Sequence, residues 1–255
     1  MLAFPHAKIN LGLHVLSKRA DGYHNLETCF YPAFELCDAL EMLPVNKGNA
    51  ELKVFGTDWT EPKESNLVWK ALQKFRKAEP AFEEHSWNLL KKIPSGGGLG
   101  GGSSDAAFAL KLMAEKAGWE KTDPRLQQIA SDLGSDCAFF LFDQPMIGTG
   151  RGEILTPIEL DLSNYRIEFD FPGIQISTSM AFSKVQPKEP ERPLNEILAL
   201  PVSEWKKWLK NDFEDSVFAH FPVLSGLKQN FYERGAEYAA MSGSGSTFFG
   251  LFRKG

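Results

Sequence analysis

Hydrophobic and polar residues alternate strictly along the first strand that the sequence predicts, residues 7–16. A period of two residues is typical of a β-strand, whose side chains point to opposite faces in turn. One face is apolar throughout and consists of Ala7, Ile9, Leu11, Leu13 and Val15. The other face carries Lys8, Asn10, Gly12 and His14. This second face fits either a solvated sheet surface or a set of functional polar groups, and the pattern alone leaves both interpretations open.

The rest of the chain alternates between strand-like and helix-like segments, which indicates an α+β fold. Strands are predicted at residues 27–36, 39–44, 50–56, 87–92, 137–142, 166–171 and 173–177, and a hairpin at 238–241 and 247–252. Turns are predicted at residues 18–24 and 148–152. Helices are predicted at residues 66–77, 103–117, 124–133, 202–210 and 222–234. We expect an N-terminal domain at residues 1–150 and a C-terminal domain at residues 151–255.

A run of glycines interrupts this pattern, with six glycines among the seven residues 96–102. Ser103, Ser104 and Asp105 follow and form a good helix start, because serine caps helices and an acidic residue suits the first turn. A glycine loop that leads into a helix N-terminus offers unobstructed N–H groups and the positive end of the helix dipole. The segment therefore predicts a phosphate-binding site, and nucleotide binding is the leading functional hypothesis.

Other interpretations of the glycine run fit less well. The P-loop pattern requires a lysine where this chain has Gly102. The dinucleotide pattern G-x-G-x-x-G is met by Gly96, Gly98 and Gly101, but that loop normally lies in the first βα turn, and this one lies far along the chain. A flexible linker would not lead into so well formed a helix start. A different kind of anion-binding loop remains.

Composition limits the class of protein. The chain has 255 residues, 43% of them hydrophobic, which is enough for a packed core. Its net charge of −5 argues against a nucleic-acid or membrane-surface role. The three cysteines lack C-x-x-C spacing, and neither a signal-peptide pattern nor a membrane-length apolar run is present. We expect a cytoplasmic protein with reduced thiols.

Several segments, taken together and in this order, resemble the GHMP kinases. The central segment is PSGGGLGGGSSDAA at residues 94–107. The others are AKINLGL at 7–13, RADGYH at 19–24, LGSD at 133–136, GRGE at 150–153, NDFE at 211–214 and SGSGS at 242–246. The resemblance implies a two-lobed α+β fold, with an N-terminal half like the second domain of a small-subunit ribosomal protein and a ferredoxin-like C-terminal half. It also implies that the N-terminal domain binds ATP.

The resemblance implies a kinase that uses ATP and Mg²⁺. Lys8 and Asp136 would be catalytic, with Asp136 taking a proton from the substrate hydroxyl and Lys8 stabilising charge on the transferring group. Asn66 would lie near the adenine, and Mg²⁺ would be carried by ATP with Ser103 or Ser104 as a candidate contact. The residues implied to bind the ATP phosphates are Pro94, Gly96, Gly97, Gly98, Leu99, Gly100, Gly101, Gly102, Ser103 and Ser104.

Within the superfamily, the segments at 7–13 and 19–24 are similar to those of kinases acting on a cytidine diphosphate sugar alcohol. The implied reaction phosphorylates the 2-hydroxyl of 4-(cytidine 5'-diphospho)-2-C-methyl-D-erythritol in non-mevalonate isoprenoid precursor biosynthesis. Tyr23 and Phe182 would stack on the cytosine, and His24 would hydrogen-bond its edge. The implied substrate-binding residues are Asn10, Tyr23, His24, Thr178, Phe182, Gly243 and Ser244. We expect a monomer or weak homodimer, with neither a nucleic acid nor a membrane as partner.

Alternatives remain within and beyond this class. One is a GHMP kinase for a small alcohol, of the homoserine or mevalonate type, which would not need Tyr23, His24 and Phe182. Another is a catalytically silent ligand-binding member, which would be expected to lack Lys8 or Asp136. The chain also departs from the family pattern: Cys137 and Ala138 replace the usual branched residue and proline, and residues 147–149 replace a segment that usually contains arginine.

Overall fold

The computed structural model describes residues 1–45, 49–57 and 61–255, and the chain divides into two compact units. Unit 1 consists of Met1–Ala7, Phe34–Ser95 and Gly100–Asp143. Unit 2 consists of Lys8–Ala33, Gly96–Leu99 and Gln144–Gly255. Each unit is assembled from separate stretches of the chain. The division of the sequence into domains at residue 150 stays a prediction.

The described residues form strands and helices with the following bounds. The strands are β1 (Leu2–Ala3), β2 (His6–Lys18), β3 (His24–Cys37), β4 (Ala39–Pro44), β5 (Leu52–Phe55), β6 (His85–Leu90), β7 (Met146–Gly150), β8 (Ile154–Pro157), β9 (Tyr165–Asp170), β10 (Tyr238–Met241) and β11 (Phe248–Arg253). The helices are α1 (Leu67–Ala78), α2 (Gly101–Ala117), α3 (Pro124–Leu133), α4 (Thr178–Phe182), α5 (Leu194–Leu198), α6 (Val202–Trp208), α7 (Phe213–His220) and α8 (Val223–Glu233).

Unit 1 packs three helices with a four-stranded sheet. The sheet has the order β1-β4-β6-β5, antiparallel except where β5 runs parallel to β6. Helix α1 begins where the side chain of Asn66 accepts a hydrogen bond from the Val68 N–H. Asp123 caps α3 in the same way, with Pro124 at its first position. Helix α1 packs against both α2 and α3, so the start of α2 is supported by regular structure.

Unit 2 contains two antiparallel sheets. One has the order β2-β3-β7-β8, and the other, β10-β11-β9, includes the C-terminal hairpin that the sequence predicts. Strand β2 is buried on both faces from His6 to Val15. Lys8 is only 3% exposed and Asn10 only 2%, so the polar face of this strand is an interior face and the interpretation as a solvated surface is wrong.

The structure corrects several predicted elements. Residues 137–142 are a turn that continues into a 3₁₀ helix at Phe139–Leu141, because a short apolar run fits a buried turn as well as a strand. Residues 173–177 are irregular and end where Ser177 caps α4. Strand β7 includes residues 148–150, so the turn predicted there begins only at residue 151. Helices α4, α5 and α7 were not predicted; α4 and α5 have five residues each, too few for a clear helical period.

Candidate functional site

The glycine run forms a loop that leads directly into α2. Gly96, Gly98 and Gly100 have φ angles of 72°, 78° and 71°, a left-handed conformation that favours glycine. Helix α2 begins at Gly101 with Gly100 as its N-cap, three residues before Ser103, the earlier of the two predicted caps. The first N–H groups of a helix have no acceptor within that helix. This loop therefore offers backbone donors at the positive end of a 17-residue helix, as phosphate binding requires.

Residues 97–99 of the loop are held tightly inside unit 2. The Lys8 N–H donates to the carbonyl of Leu99 at 3.0 Å, and the Thr247 N–H donates to that of Gly97 at 3.2 Å. The Ser242 hydroxyl donates to the Gly98 carbonyl at 2.9 Å. A Cβ on Gly98 would lie 2.0 Å from the Ser242 carbonyl oxygen, so only glycine fits. The loop thus lies against β2 and against the hairpin tip at residues 242–246.

Lys8 and Asn10 begin a buried chain of polar groups on β2. Lys8 Nζ donates to Asn10 Oδ1 at 2.5 Å, and Asn10 Nδ2 donates to the Thr28 hydroxyl at 2.9 Å. The Thr28 hydroxyl donates in turn to the Gly12 carbonyl at 2.5 Å. A buried ammonium is costly unless it is paired or functional. This series of hydrogen bonds fixes the amide of Asn10 so that its oxygen faces the ammonium of Lys8.

The hairpin tip that carries Gly243 and Ser244 lies beside Asn10. A Cβ on Gly243 would be 3.1 Å from the Gly98 carbonyl oxygen and 3.4 Å from Asn10 Oδ1. Asn211 holds this tip, because its side-chain amide donates to the carbonyls of Met241 and Gly243, each at 2.8 Å. Ser244 is half-buried. Unit 2 therefore brings together Lys8, Asn10, the glycine loop and Gly243.

The predicted cytidine-binding residues lie in unit 2 and include a stacked ring pair. The rings of His24 and Phe182 are stacked with centroids 4.6 Å apart and planes 18° apart. Tyr23 is 57% exposed, and the Arg151 guanidinium lies over its ring at 5.0 Å. Thr178 is the exposed first residue of α4, the helix that ends at Phe182. A flat aromatic ring could stack on such surfaces.

In unit 1, Asn66 lies beside a cavity of about 750 Å³. The next residue, Leu67, lines this cavity together with Lys63, Lys70 and Asp132. The Leu67 side chain would be 3.6 Å from a Cβ on Gly102, so the cavity wall reaches the first turn of α2. Asn66 itself is 8% exposed and caps α1. Its position beside a large cavity next to the phosphate loop fits a nucleotide base.

Asp136 lies in the turn after α3 and is half-buried. The predicted buried strand after it is absent, so Asp136 does not enter a sheet. Its neighbour Cys137 has a side-chain hydrogen bond with Ser103, in the first turn of α2. Burial raises the pKa of the Cys137 thiol to about 11, and the hydrogen bond from Ser103 opposes part of this rise. The turn that carries Asp136 therefore lies against the start of α2 within unit 1.

The two serines predicted as magnesium contacts differ in their surroundings. The Ser104 hydroxyl is fully buried and donates to the His6 carbonyl at 2.7 Å, which leaves it poorly placed for a metal. Ser103 is half-buried. Across residues 1–45, 49–57 and 61–255, no group of three or more His, Cys, Asp or Glu side chains could hold a metal ion.

Three residues that hold the site region together were not predicted as site residues: Thr28, Asn211 and Lys91. Thr28 and Asn211 act through partners 18 and 32 residues away, so their roles depend on tertiary contacts. Lys91 is 14 residues from Asp105, with which it pairs. The available signal for Thr28 is that it is a polar residue within a predicted strand. For Asn211 the available signal is its place in the NDFE segment at residues 211–214.

Among the described residues, no helix is both long enough and apolar enough to cross a membrane.

Comparison with known proteins places this geometry in context. The family model described as "GHMP kinases N terminal domain" matches residues 66–144, and the model "GHMP kinases C terminal" matches residues 196–255. The chain is 49% identical to a 4-diphosphocytidyl-2-C-methyl-D-erythritol kinase of Parabacteroides distasonis, with 100% of this chain and 92% of that protein covered. A protein of the same name from Bacteroides fragilis is 48% identical, with 99% and 92% covered.

Solved structures show the same relationship. A crystal structure of 4-(cytidine 5'-diphospho)-2C-methyl-D-erythritol kinase matches with a TM-score of 0.83 at 33% identity, covering 98% of this chain and 90% of that one. The Methanococcus jannaschii mevalonate kinase matches with a TM-score of 0.70 at 12% identity, covering 99% and 90%. At that identity the second match speaks for the fold alone.

Proposed function

The chain belongs to the GHMP kinases, and we propose that it transfers the γ-phosphoryl group of ATP to the 2-hydroxyl of 4-(cytidine 5'-diphospho)-2-C-methyl-D-erythritol. The convergence in unit 2 of Lys8, Asn10, the glycine loop and Gly243 carries this proposal. The names of the full-length relatives support the substrate. The products are ADP and the 2-phosphate, an intermediate of the non-mevalonate route to isoprenoid precursors.

The loop and the residues near it bind the nucleotide in this proposal. Backbone N–H groups at the start of α2 hold phosphate oxygens, because they are free donors at the positive end of the helix dipole. The cavity beside Asn66 takes the adenine. Bound ATP supplies the phosphoryl group, and Mg²⁺ carried with it, with Ser103 as a contact, neutralises phosphate charge.

Lys8 and Asp136 carry the chemistry in this proposal. Phosphoryl transfer depends mainly on alignment and charge neutralisation. The buried ammonium of Lys8, held by Asn10, stabilises negative charge on the transferring group. Asp136 accepts the proton that the 2-hydroxyl loses as its oxygen attacks. Asn10 orients the hydroxyl, since its amide is fixed by Thr28.

The aromatic residues select the substrate in this proposal. Tyr23 and Phe182 stack on the cytosine, and His24 hydrogen-bonds its edge. The stacked pair of His24 and Phe182 and the exposed ring of Tyr23 support this role. Thr178, at the start of the helix that ends at Phe182, and Gly243 with Ser244 at the hairpin tip contact the substrate.

A coupled assay of ADP release tests the proposed function. The purified chain is given ATP and Mg²⁺ with the cytidyl substrate, homoserine or mevalonate in turn. We expect kcat/KM for the cytidyl substrate to exceed that for either small alcohol by on the order of 10²-fold or more. If homoserine or mevalonate is turned over faster, the proposed substrate is wrong and that alcohol takes its place. Binding of ATP without turnover of any alcohol would indicate a silent member of the family.

A further inference from the structure

We propose that Lys91 is a positioning residue for the nucleotide, because its ammonium ties together the two ends of the phosphate loop. The inference rests on the proposed function, since it assumes that ATP binds at residues 94–104. Lys91 Nζ donates to Asp105 Oδ2 at 2.6 Å and also to Asp38 Oδ2. All three side chains are buried: 10% of the Lys91 side chain is exposed, 3% of Asp105 and none of Asp38.

Asp38 holds the chain that enters the loop. Its Oδ1 accepts hydrogen bonds from the backbone N–H groups of Lys92 and Ile93, at 2.5 and 2.8 Å. Pro94 follows directly and begins the loop segment. The carboxylate of Asp38 therefore fixes the exit of β6, where the backbone turns from the sheet toward the glycines.

Asp105 holds the chain that leaves the loop. It is the fifth residue of α2, and its carboxylate is bound to the ammonium of Lys91. Gly101, the first residue of α2, is so close that a Cβ there would lie 3.3 Å from Lys91 Nζ and 2.9 Å from Ile93 Cγ2. The ammonium thus lies beneath the first turn of the helix, and Lys91 joins Asp38 to Asp105 across the base of the loop.

The charge of Lys91 also affects how well the site binds a polyanion. Two carboxylates and one ammonium share the cluster, so loss of Lys91 leaves two buried acids beneath the phosphate site with no opposite charge. Asp105 Oδ1 is buried and has no hydrogen-bond partner among the described residues, and burial raises the pKa of this carboxyl to about 8 although Lys91 opposes the rise. Without Lys91, the first turn of α2 loses its tie to Asp38, and the positive charge beneath the phosphate site is lost.

Substitution of Lys91 tests the inference through the two Michaelis constants. We expect Lys91→Met to raise KM for ATP, and the Kd for ADP measured by calorimetry, by about tenfold or more, while KM for the cytidyl substrate changes less than about twofold. Lys92→Met is the matched control, since this neighbouring side chain is exposed, and it should leave both constants unchanged. Lys91→Arg, which keeps the charge, should recover part of the ADP affinity.

Asp105→Asn keeps the inference testable if Lys91→Met does not fold. It replaces the ion pair with a neutral acceptor and leaves Lys91 paired with Asp38, so we expect a smaller rise that is still confined to the nucleotide. Unchanged ADP affinity in a folded Lys91→Met or Asp105→Asn variant overturns the inference. So does an equal loss of affinity for both substrates, which indicates general destabilisation. ADP binding needs no acceptor alcohol, so failure of the proposed substrate is detected separately, in the wild-type chain.

Discussion

At the scale of single residues, burial separates functional polar groups from ordinary surface ones. Lys8 and Asn10 are almost completely buried within a strand whose other side chains form the core. An aliphatic residue at position 8 would cost less free energy of folding than lysine, because a buried ammonium loses its hydration. The hydrogen bond from Lys8 to Asn10 offsets part of this cost, and the proposed catalytic role of Lys8 gives a reason for keeping a charge there.

The role of Asp136 as a base predicts a specific loss. Asp136→Asn keeps the size of the side chain and removes its ability to accept a proton. We expect kcat to fall by roughly 10²–10⁴-fold, the usual contribution of a general base. The thermal midpoint and the Kd for ADP should remain close to those of the wild-type chain.

Asp161→Asn is the matched control for this variant. Asp161 is exposed, and its carboxylate accepts hydrogen bonds from the backbone N–H and the hydroxyl of Ser163, away from the proposed site residues, so turnover should not change. Near-normal turnover by Asp136→Asn would rule out the base assignment. A large loss of ADP affinity would mean that Asp136 acts in nucleotide binding instead.

The aromatic pair predicts an effect on one substrate only. Phe182→Ala removes a ring that stacks on His24 and, in the proposed complex, on the cytosine. Because an aromatic pair contributes about 0.5–1.5 kcal/mol beyond its buried area, KM for the cytidyl substrate should rise roughly three- to tenfold or more. KM for ATP should change little.

Phe171→Ala provides the comparison for Phe182→Ala. Phe171 is 43% exposed and stacks on Phe169, but it is not among the proposed site residues. Its loss should leave both Michaelis constants unchanged. An equal effect of the two substitutions on the cytidyl KM would count against a cytosine stack at Phe182.

Residue-level prediction from sequence is possible where the signal is local. Lys8 and Asn10 stood out because they interrupt an apolar alternation, and the glycine loop because of its composition. The roles of Thr28, Asn211 and Lys91 were not predictable, since each depends on a partner brought near by folding. Whether Lys8 and Asp136 act as proposed stays a prediction.

At the scale of elements, the close fit of the glycine loop predicts that single methyl groups will not be tolerated. Gly98→Ala meets two obstacles: its φ of 78° costs an L-residue about 1–2 kcal/mol, and its Cβ would collide with the Ser242 carbonyl. We expect lower thermal stability and weaker ADP binding, measured by thermal unfolding and calorimetry.

Gly96→Ala separates the two causes in that experiment. Gly96 has a similar φ of 72°, but a Cβ there meets nothing within 4 Å. The loss of stability should therefore be clearly larger for Gly98→Ala than for Gly96→Ala. Equal losses would show that the contact with the hairpin tip contributes nothing.

Whole elements were predictable to the extent that their ends carry sequence signals. Helices α1 and α3 were predicted to within about one residue, because Asn66 and Asp123 cap them. Helix α2 starts earlier than predicted, since its first turn is built from glycines that propensity disfavours. The segment 137–142 was misassigned because an apolar run without a period fits a buried turn equally well.

At the scale of the whole molecule, the fold is shared by kinases with different acceptors. The mevalonate kinase described above, for example, shares the fold at low sequence identity. A fold common to such proteins cannot select a substrate by itself. The choice of acceptor must therefore depend on particular side chains, and Tyr23, His24 and Phe182 are the ones proposed for that role.

Identification of the product tests the central claim most directly. The chain is incubated with ATP, Mg²⁺ and the cytidyl substrate, and the product is analysed by mass spectrometry and ³¹P NMR. We predict one new phosphate monoester on the 2-hydroxyl, an intact cytidine diphosphate group, and one ADP for each product molecule. ADP without a phosphorylated acceptor, or a phosphate on any other position, would contradict the proposed reaction.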